Sequence, residues 1–232
     1  MSILSSVIKK TLRTLQHKGE MRHELKRVID RFPALAGLPE ASSISWRLLT
    51  EPYEEYVAGV SSPVWAVSPQ TAALVHGLCT LLKPKMVLDL GSGFSSFALR
   101  RYSRDATDPC TVHSIDDDVQ WLKQTWEFLV AHGLQTDGMF LWDAFQERAA
   151  PHYDLILHDM GRMNVRLETL PRVLDLTATD GLVVLDDMHK PEYAPEAIER
   201  CRGAGFEVCG LRAMTLDVMG RYAAVSFRPR RR

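Results

Sequence analysis

The chain has 232 residues, 46% of them hydrophobic, and a formal net charge of −1. This length supports one well-packed core with a small extension, and the near-zero charge argues against nucleic acid as the partner. No apolar run is long enough to span a membrane. The four cysteines lack metal-binding or redox spacing, and the chain does not open with a signal-peptide pattern, which predicts reduced thiols in a cytoplasmic protein.

Residues 1–67 differ in character from the rest. Apolar residues recur at helical spacing in a segment rich in Lys and Arg, and prolines then interrupt the chain from Pro33 to Pro69. This pattern predicts an N-terminal helical cap or lid, followed by a core helix near Pro69–Leu82. The basic face is either solvated, a homodimer contact or a surface for anionic partners. An aromatic group either packs the cap onto the core or contacts a ligand: Trp46, Tyr53, Tyr56 and Trp65.

A glycine turn follows the predicted core helix near Pro69–Leu82. The apolar run from Met86 to Leu90 carries one acid, Asp89, and predicts a buried strand. Gly91 and Gly93 follow, with Ser92, Ser95 and Ser96 among them, and a helical pattern begins at once. A strand, a glycine turn and a helix N-terminus place backbone N–H groups against a ligand. The turn therefore predicts a nucleotide-like ligand.

A second strand-like run, from Cys110 to Ile115, ends in three acids. An acid at this position of a doubly wound fold binds ribose hydroxyls, which makes Asp116 the expected ribose ligand. Asp117 and Asp118 are expected to cap the next helix, which runs to about His132.

The rest of the chain keeps alternating between strand and helix patterns. Strands are predicted at 138–142, 153–158 and 181–185, ending at Asp143, Asp159 and Asp186-Asp187. A helix is predicted at 165–177, interrupted by or beginning near Pro171, and another at 191–201. The last two strands, 206–211 and 222–227, are predicted to have no helix between them and to pair antiparallel. The pattern predicts an α/β fold with a doubly wound, mostly parallel seven-stranded sheet.

The glycine turn resembles motif I of class I S-adenosylmethionine (SAM) methyltransferases, acid-x-Gly-x-Gly-x-Gly. Asp89, Gly91 and Gly93 match, and Ser95 replaces the last glycine. The resemblance covers roughly residues 68–228, leaving 229–232 as a basic tail. It implies a Rossmann-like domain that binds SAM. The expected cofactor-binding residues are Asp89, Gly91, Ser92, Gly93, Ser95, Asp116, Asp117, Trp142 and Asp143, with the last two at the adenine.

Three acids suggest a metal. Asp159, Asp186 and Asp187 would repel one another without a cation, and their oxygens suit Mg²⁺. The sequence is similar here to metal-dependent O-methyltransferases of the catechol type and of the macrolide and aminocoumarin sugar type. It departs from the catechol type at Arg162, where that type places a basic lysine. Asp159 and Arg162 are nevertheless catalytic candidates.

Histidine is the alternative to a metal. His189 is the expected general base if no metal activates the acceptor, although it could equally cap a helix. His158 is expected to be structural.

The sequence thus predicts a SAM-dependent methyltransferase acting on a small molecule, most readily at a hydroxyl. The alternatives are a nicotinamide-dependent oxidoreductase, a nucleic-acid methyltransferase and a non-catalytic SAM-binding protein. The oxidoreductase is disfavoured by Ser96, which stands at the third glycine position of a dinucleotide-binding turn, and by the presence of Asp89.

Overall fold

The computed structural model describes residues 23–148 and 151–230. The helical pattern predicted before residue 23 and the last two residues of the basic tail lie outside these ranges. Among the described residues, no helix is both long and apolar enough to cross a membrane.

Helices and strands alternate along most of the chain. Their order is α1 (23–31), a 3-10 turn (Pro33–Gly37), α2 (Leu38–Gly59), α3 (Pro69–Leu82), β1 (Met86–Leu90), α4 (Phe94–Asp105), β2 (Thr111–Asp116), α5 (Val119–Ala131), β3 (Met139–Leu141), α6 (Trp142–Gln146), β4 (Tyr153–His158), α7 (Met163–Leu176), β5 (Thr177–Leu185), α8 (Ala194–Gly203), β6 (Glu207–Gly210), α9 (Arg212–Thr215) and β7 (Ala224–Phe227).

The strands form one seven-stranded sheet in the order β3-β2-β1-β4-β5-β7-β6. Strands β1 to β5 are parallel, whereas β7 runs antiparallel to both β5 and β6. The predicted mostly parallel, doubly wound sheet is therefore confirmed, as is the antiparallel final pair. One detail was wrong: the short helix α9 lies between the last two strands, which the sequence joined through a loop alone.

Helices cover both faces of the sheet. On one face, α1, α3 and α4 pack on β-strand side chains such as Val87 and Leu155. On the other face, α7 and α8 pack on Leu88 and Ile156. Because side chains alternate along a strand, the apolar runs of β1 and β4 supply both cores at once.

The N-terminal segment is part of the main core in the described residues. Val28, Phe32, Leu35 and Leu38 are buried in the same cluster as the α3 side chains. Arg31 donates from Nε to the Arg228 carbonyl at 2.8 Å and forms an ion pair with Asp180. The segment is thus anchored to the sheet at its start, and its role as a lid stays a prediction.

Helix α7 runs without a break through Pro171, which the sequence placed at an interruption or start of the helix. Proline has no N–H, so the Leu167 carbonyl one turn earlier loses its helical donor. Arg200 of α8 replaces that donor, since its Nη1 lies 2.8 Å from the Leu167 oxygen. The proline therefore becomes a link between two helices.

This arrangement predicts a double-mutant result. Arg200→Met should lower the free energy of unfolding by about 1 kcal/mol, the usual net value of one hydrogen bond. In a Pro171→Ala background the loss should be smaller, because the alanine backbone supplies an N–H to the Leu167 carbonyl. Urea unfolding of the four proteins measures both values. Equal losses in the two backgrounds would contradict the assignment.

Candidate active site

A cavity of about 950 Å³ opens at the carboxyl ends of the parallel strands. Ligands of open α/β sheets bind where the strand order reverses direction, and here that point lies between β1 and β4. One half of the cavity is lined by the glycine turn and the acids after β2. The other half is lined by the acids after β4 and β5 and by His189.

The glycine turn is packed against the backbone that follows β4. Gly91 has φ +99°, and a Cβ there would lie 2.7 Å from the Asp159 carbonyl carbon. Only glycine fits that position without strain. At Gly93 a Cβ would instead meet the Tyr56 hydroxyl at 3.3 Å and the Trp121 Nε1 at 3.7 Å. Gly91 therefore holds the two halves together, and Gly93 keeps space open inside the cavity.

Asp89 lies beneath the turn and does not line the cavity. It is fully buried and accepts hydrogen bonds from the hydroxyls of Ser96 and Ser114, the latter at 3.0 Å. Burial raises the pKa of this carboxyl, and the hydrogen bonds from the serines oppose that rise. The Ser96 Oγ also accepts from the Gly93 N–H at 3.2 Å. Asp89 thus supports the turn from behind, and its predicted direct contact with the cofactor has no support in this geometry.

Asp116, the predicted ribose ligand, is the last residue of β2 and lines the cavity. Its Oδ2 accepts from both the backbone N–H and the hydroxyl of Ser92, each at 2.7 Å. Burial raises the pKa of Asp116 to about 6, although these hydrogen bonds favour the charged form. Of the two predicted helix caps, Asp118 is the cap of α5, because its carboxylate accepts from the first free N–H groups of that helix. Asp117 is exposed and lines the cavity.

Trp142 and Asp143 are not brought to the cavity. The strand β3 is shorter than predicted, and the chain turns into α6 at Trp142. The Trp142 ring then packs near Phe145, while Asp143 is exposed at the start of that helix. Their predicted adenine contact stays a prediction without support from the cavity lining.

The predicted metal site contains an arginine. The Arg166 Nη2 lies 2.6 Å from Asp159 Oδ1, and its Nη1 lies 3.2 Å from Asp187 Oδ2. In residues 23–148 and 151–230, no group of three or more His, Cys, Asp or Glu side chains is arranged to hold a metal ion. Asp159, Asp186 and Asp187 do converge on the cavity, but the geometry does not fit Mg²⁺, because the guanidinium bridges two of the three carboxylates.

Arg166 and the acids form a buried charge cluster. Burial disfavours the charge on Arg166, but Asp159 and Asp187 outweigh it and raise the pKa of the guanidinium above its ordinary value. Burial raises the pKa of Asp159, which Arg166 opposes. Burial and the charge of Asp187 raise the pKa of Asp186 to about 6. The positive charge of Arg166 opposes the rise in pKa at both acids and so favours their charged forms.

His189 follows these acids and lines the cavity. Its Nδ1 lies 3.5 Å from Asp187 Oδ1, and burial lowers its pKa, which Asp187 partly opposes. The imidazole is therefore neutral at pH 7 and able to accept a proton. Asp187 has φ +57°, a strained conformation for a residue with a side chain. His158 is fully buried, contacts Thr169 at 2.9 Å and has its pKa lowered by burial to about 3, so it is placed as a structural residue.

The predicted catalytic arginine, Arg162, is exposed at the N-terminus of α7, where its side chain reaches the cavity rim. Arg166, one helical turn later, is the buried arginine of the site, and the sequence analysis missed it. It shares the buried face of α7 with Thr169, Leu170 and Val173. A charged residue on an apolar helical stripe was the available signal.

An apolar rim borders the half of the cavity that contains the acids after β4 and β5 and His189. Val64, Trp65 and Met219 line it, and Trp65 is 78% exposed. Arg221 joins the two loops of this rim, since its Nη1 donates to the carbonyls of Val64 and Ala66 and its Nε to Asp217.

The four aromatic residues of the N-terminal segment differ in whether they line the cavity. Tyr53 packs edge-on against Phe94, and Trp46 is exposed on the surface of α2. Tyr56 is buried at the cavity wall above Gly93, and its hydroxyl has no hydrogen-bond partner in the part of the chain that the structure describes. Tyr56 and Trp65 thus reach the cavity, whereas Tyr53 and Trp46 do not line it.

Several solved structures of methyltransferases share this fold. The O-methyltransferase TomG from Streptomyces achromogenes, solved with SAM, is 18% identical; the match covers 81% of this chain and 88% of that one, with a TM-score of 0.57. The SAH-bound methyltransferase PaMTH1 from Podospora anserina is 16% identical over 88% and 96% of the two chains, with a TM-score of 0.58. Precorrin-6y C5,15-methyltransferase from Geobacter metallireducens is 15% identical over 71% and 91%, with a TM-score of 0.56.

No protein-family model and no curated protein sequence matches the chain. At these identities the structural similarity establishes the fold alone. The chain therefore has the Rossmann-like class I methyltransferase fold, with a helical N-terminal part and an antiparallel β7.

Proposed function

We propose that this chain is a SAM-dependent methyltransferase that acts on a hydroxyl group of a small molecule. The observation that carries the proposal is one cavity in which a glycine turn and a ribose-type acid face a histidine and a charge cluster. A methyl donor in the first half would meet an acceptor in the second half.

The donor half suits an adenosyl sulfonium compound. Gly91, Ser92, Gly93 and Ser95 provide a turn at the start of α4, and Asp116 stands where a ribose would donate its hydroxyl hydrogen bonds. The acids that line this cavity suit a positively charged sulfonium. The O-methyltransferase neighbours solved with SAM or SAH support this choice of cofactor.

The sheet favours this reading over a nicotinamide-dependent oxidoreductase. The antiparallel β7 between β5 and β6 departs from the doubly wound dinucleotide fold, whose strand order is 3-2-1-4-5-6. Ser96, at the position of the third dinucleotide glycine, is buried and supports the turn through Asp89.

Transfer requires alignment and the removal of one proton. The acceptor oxygen attacks the sulfonium methyl in line, the C–S bond breaks, and S-adenosylhomocysteine leaves as a neutral sulfide. His189 takes the hydroxyl proton, for which its neutral form at pH 7 is suited. We assign no step to a metal ion, because the acids bind Arg166.

The acceptor is expected to have an apolar body. Val64, Trp65 and Met219 offer apolar surface beside the charge cluster, and an exposed tryptophan gains from covering a ring or an aliphatic body. The later part of the N-terminal segment would then act as a lid.

We also propose a cytoplasmic location, which agrees with the four free cysteines, and a homodimer formed through the N-terminal segment.

Calorimetry with the purified protein tests the cofactor, comparing SAM and SAH with NADH. Release of SAH is then followed with a panel of phenols, aliphatic alcohols and amines. Binding of NADH in preference to SAM would favour the oxidoreductase. Binding of SAM without SAH release for any acceptor would favour a non-catalytic SAM-binding protein.

Gly93→Val should abolish SAM binding while the fold survives, because the side chain would enter the space beside the Tyr56 hydroxyl and Trp121. Gly91→Ala is the matched comparison. It should instead destabilise the protein by about 1–3 kcal/mol, since its Cβ would strike the Asp159 backbone. Calorimetry and thermal unfolding separate the two effects. Normal SAM affinity in a folded Gly93→Val protein would show that the donor binds elsewhere.

His189 predicts the pH dependence of turnover. Because burial lowers its pKa, kcat should be level at pH 7 and fall only at pH values below ~6.5, as the imidazole becomes protonated. His189→Ala should lose roughly 10²- to 10⁴-fold in kcat together with this acid limb, and keep its SAM affinity. A variant that keeps both turnover and the acid limb would exclude His189 as the base.

Trp65→Ala should raise the KM of the acceptor about tenfold, equivalent to ~1.4 kcal/mol of lost apolar contact, with little change in SAM affinity. Trp126→Ala is the control, because Trp126 is also exposed, on α5, but does not line the cavity. Steady-state kinetics at saturating SAM gives both KM values. An unchanged KM in Trp65→Ala would remove the rim from the acceptor site.

A further inference from the structure

In the described residues, Arg166 is the only arginine that is buried among the acids of the acceptor half. Its side chain is 6% exposed, and it is held on three sides by the carboxylates of Asp159 and Asp187 and by the Gly161 carbonyl, which accepts from Nε at 3.3 Å. Within the part of the chain that the structure describes, Nη1 lies 3.2 Å from Asp187 Oδ2 as an ion pair but makes no hydrogen bond of good geometry. The guanidinium is fixed in place, yet retains donor capacity.

The other cations of the cavity are differently placed. Arg221 is engaged with Asp217 and with two rim carbonyls. Arg162 is exposed at the N-terminus of α7. Neither bridges the acids after β4 and β5, so neither can substitute for Arg166 there.

We propose that the Arg166 guanidinium takes the place of a divalent cation between Asp159 and Asp187 and binds the acceptor oxygen during transfer. This inference rests on the proposed function. The acceptor hydroxyl proton passes to His189, the oxygen takes the methyl group, and the neutral sulfide leaves. Arg166 remains protonated throughout and compensates the negative charge that develops on the oxygen.

A guanidinium and a divalent cation satisfy the same acids in different ways. Mg²⁺ needs several oxygens at about 2.0–2.1 Å around one point, whereas the planar guanidinium spans two carboxylates through separate nitrogens. An arginine on α7 also needs no loading from solution. It follows that removing the guanidinium leaves a cluster of acids without its cation, which a divalent ion should be able to fill.

The test measures Mn²⁺ binding to the full-length protein by calorimetry and by electron paramagnetic resonance, with and without SAH. Arg166→Met and Arg166→Gln remove the charge while keeping much of the side chain. Arg172→Met is the matched control, because Arg172 is exposed on the same helix and does not line the cavity. Each variant is first checked for cooperative unfolding and SAH affinity.

Both neutral Arg166 variants should bind one Mn²⁺ at least tenfold more tightly than the wild type and Arg172→Met, and an added Asp159→Asn should abolish the gain. If the neutral variants fold only poorly, refolding with Mn²⁺ should restore SAH binding. The proposal is overturned if the wild type binds Mn²⁺ through Asp159 as tightly as Arg166→Met. It is equally overturned if the folded variants gain no Mn²⁺ affinity, or if Mn²⁺ fails to rescue unfolded ones.

These outcomes are distinct from a failure of the proposed function. A wild-type protein that does not bind SAM would contradict the methyltransferase assignment, whereas the Mn²⁺ comparison reports only on the cation position. A chelator-treated wild type that loses SAH release in the acceptor assay would contradict the inference while leaving the methyltransferase assignment intact.

Discussion

The close approach of Gly91 to the backbone of Asp159 determines the geometry of the whole site. Strands β1 and β4 end side by side, with Leu90 paired to His158, and the Asp159 N–H donates to the Leu90 carbonyl at 2.7 Å. The turn after β1 therefore lies directly on the chain after β4, and a Cβ at residue 91 has no room. Because the two connections touch, a ligand in the turn is held within a short distance of the charge cluster.

The second constraint is electrostatic. In the described residues, six aspartates line the cavity after three strands. Those that are buried or half-buried are stable as charged groups only beside a cation or several hydrogen-bond donors. After β2 the buried acid is stabilised by N–H and hydroxyl donors of Ser92, so its half of the cavity needs no side-chain cation. After β4 and β5 the cation is Arg166. The acids of the two halves are thus stabilised in different ways, and only the second half contains a fixed positive charge, which under the proposed function would lie beside the acceptor.

Local signals explain which parts of the fold the sequence predicted well. Ser68 and Pro69 mark the start of α3, and the predicted Pro69–Leu82 is the observed helix. The apolar run 153–158 is the observed β4. By contrast, the end of β3 and the helix α9 depend on tertiary packing, and neither has a cap or periodicity of its own. Asp89 was predicted to contact the cofactor because its place in the glycine motif can be read from the sequence. The sequence motif does not show which groups the carboxylate contacts in the folded chain, and here those groups are the hydroxyls of Ser96 and Ser114. Arg166 was missed because an arginine is assumed to face solvent unless its helical face is compared with that of Leu170 and Val173.

The apolar rim of the cavity is built separately from the glycine turn. Its rim comes from the loop that leads into α3 and from the loop before β7, two segments that are far apart in sequence and are joined by Arg221. Asp217 is almost fully buried and fixes the Arg221 guanidinium at 2.6 Å, so the two loops are held as one unit. A change in either loop would alter the shape of the rim without touching the glycine turn. The glycine turn can therefore stay the same while the rim changes, and under the proposed function the rim and the charge cluster beneath it would select the acceptor.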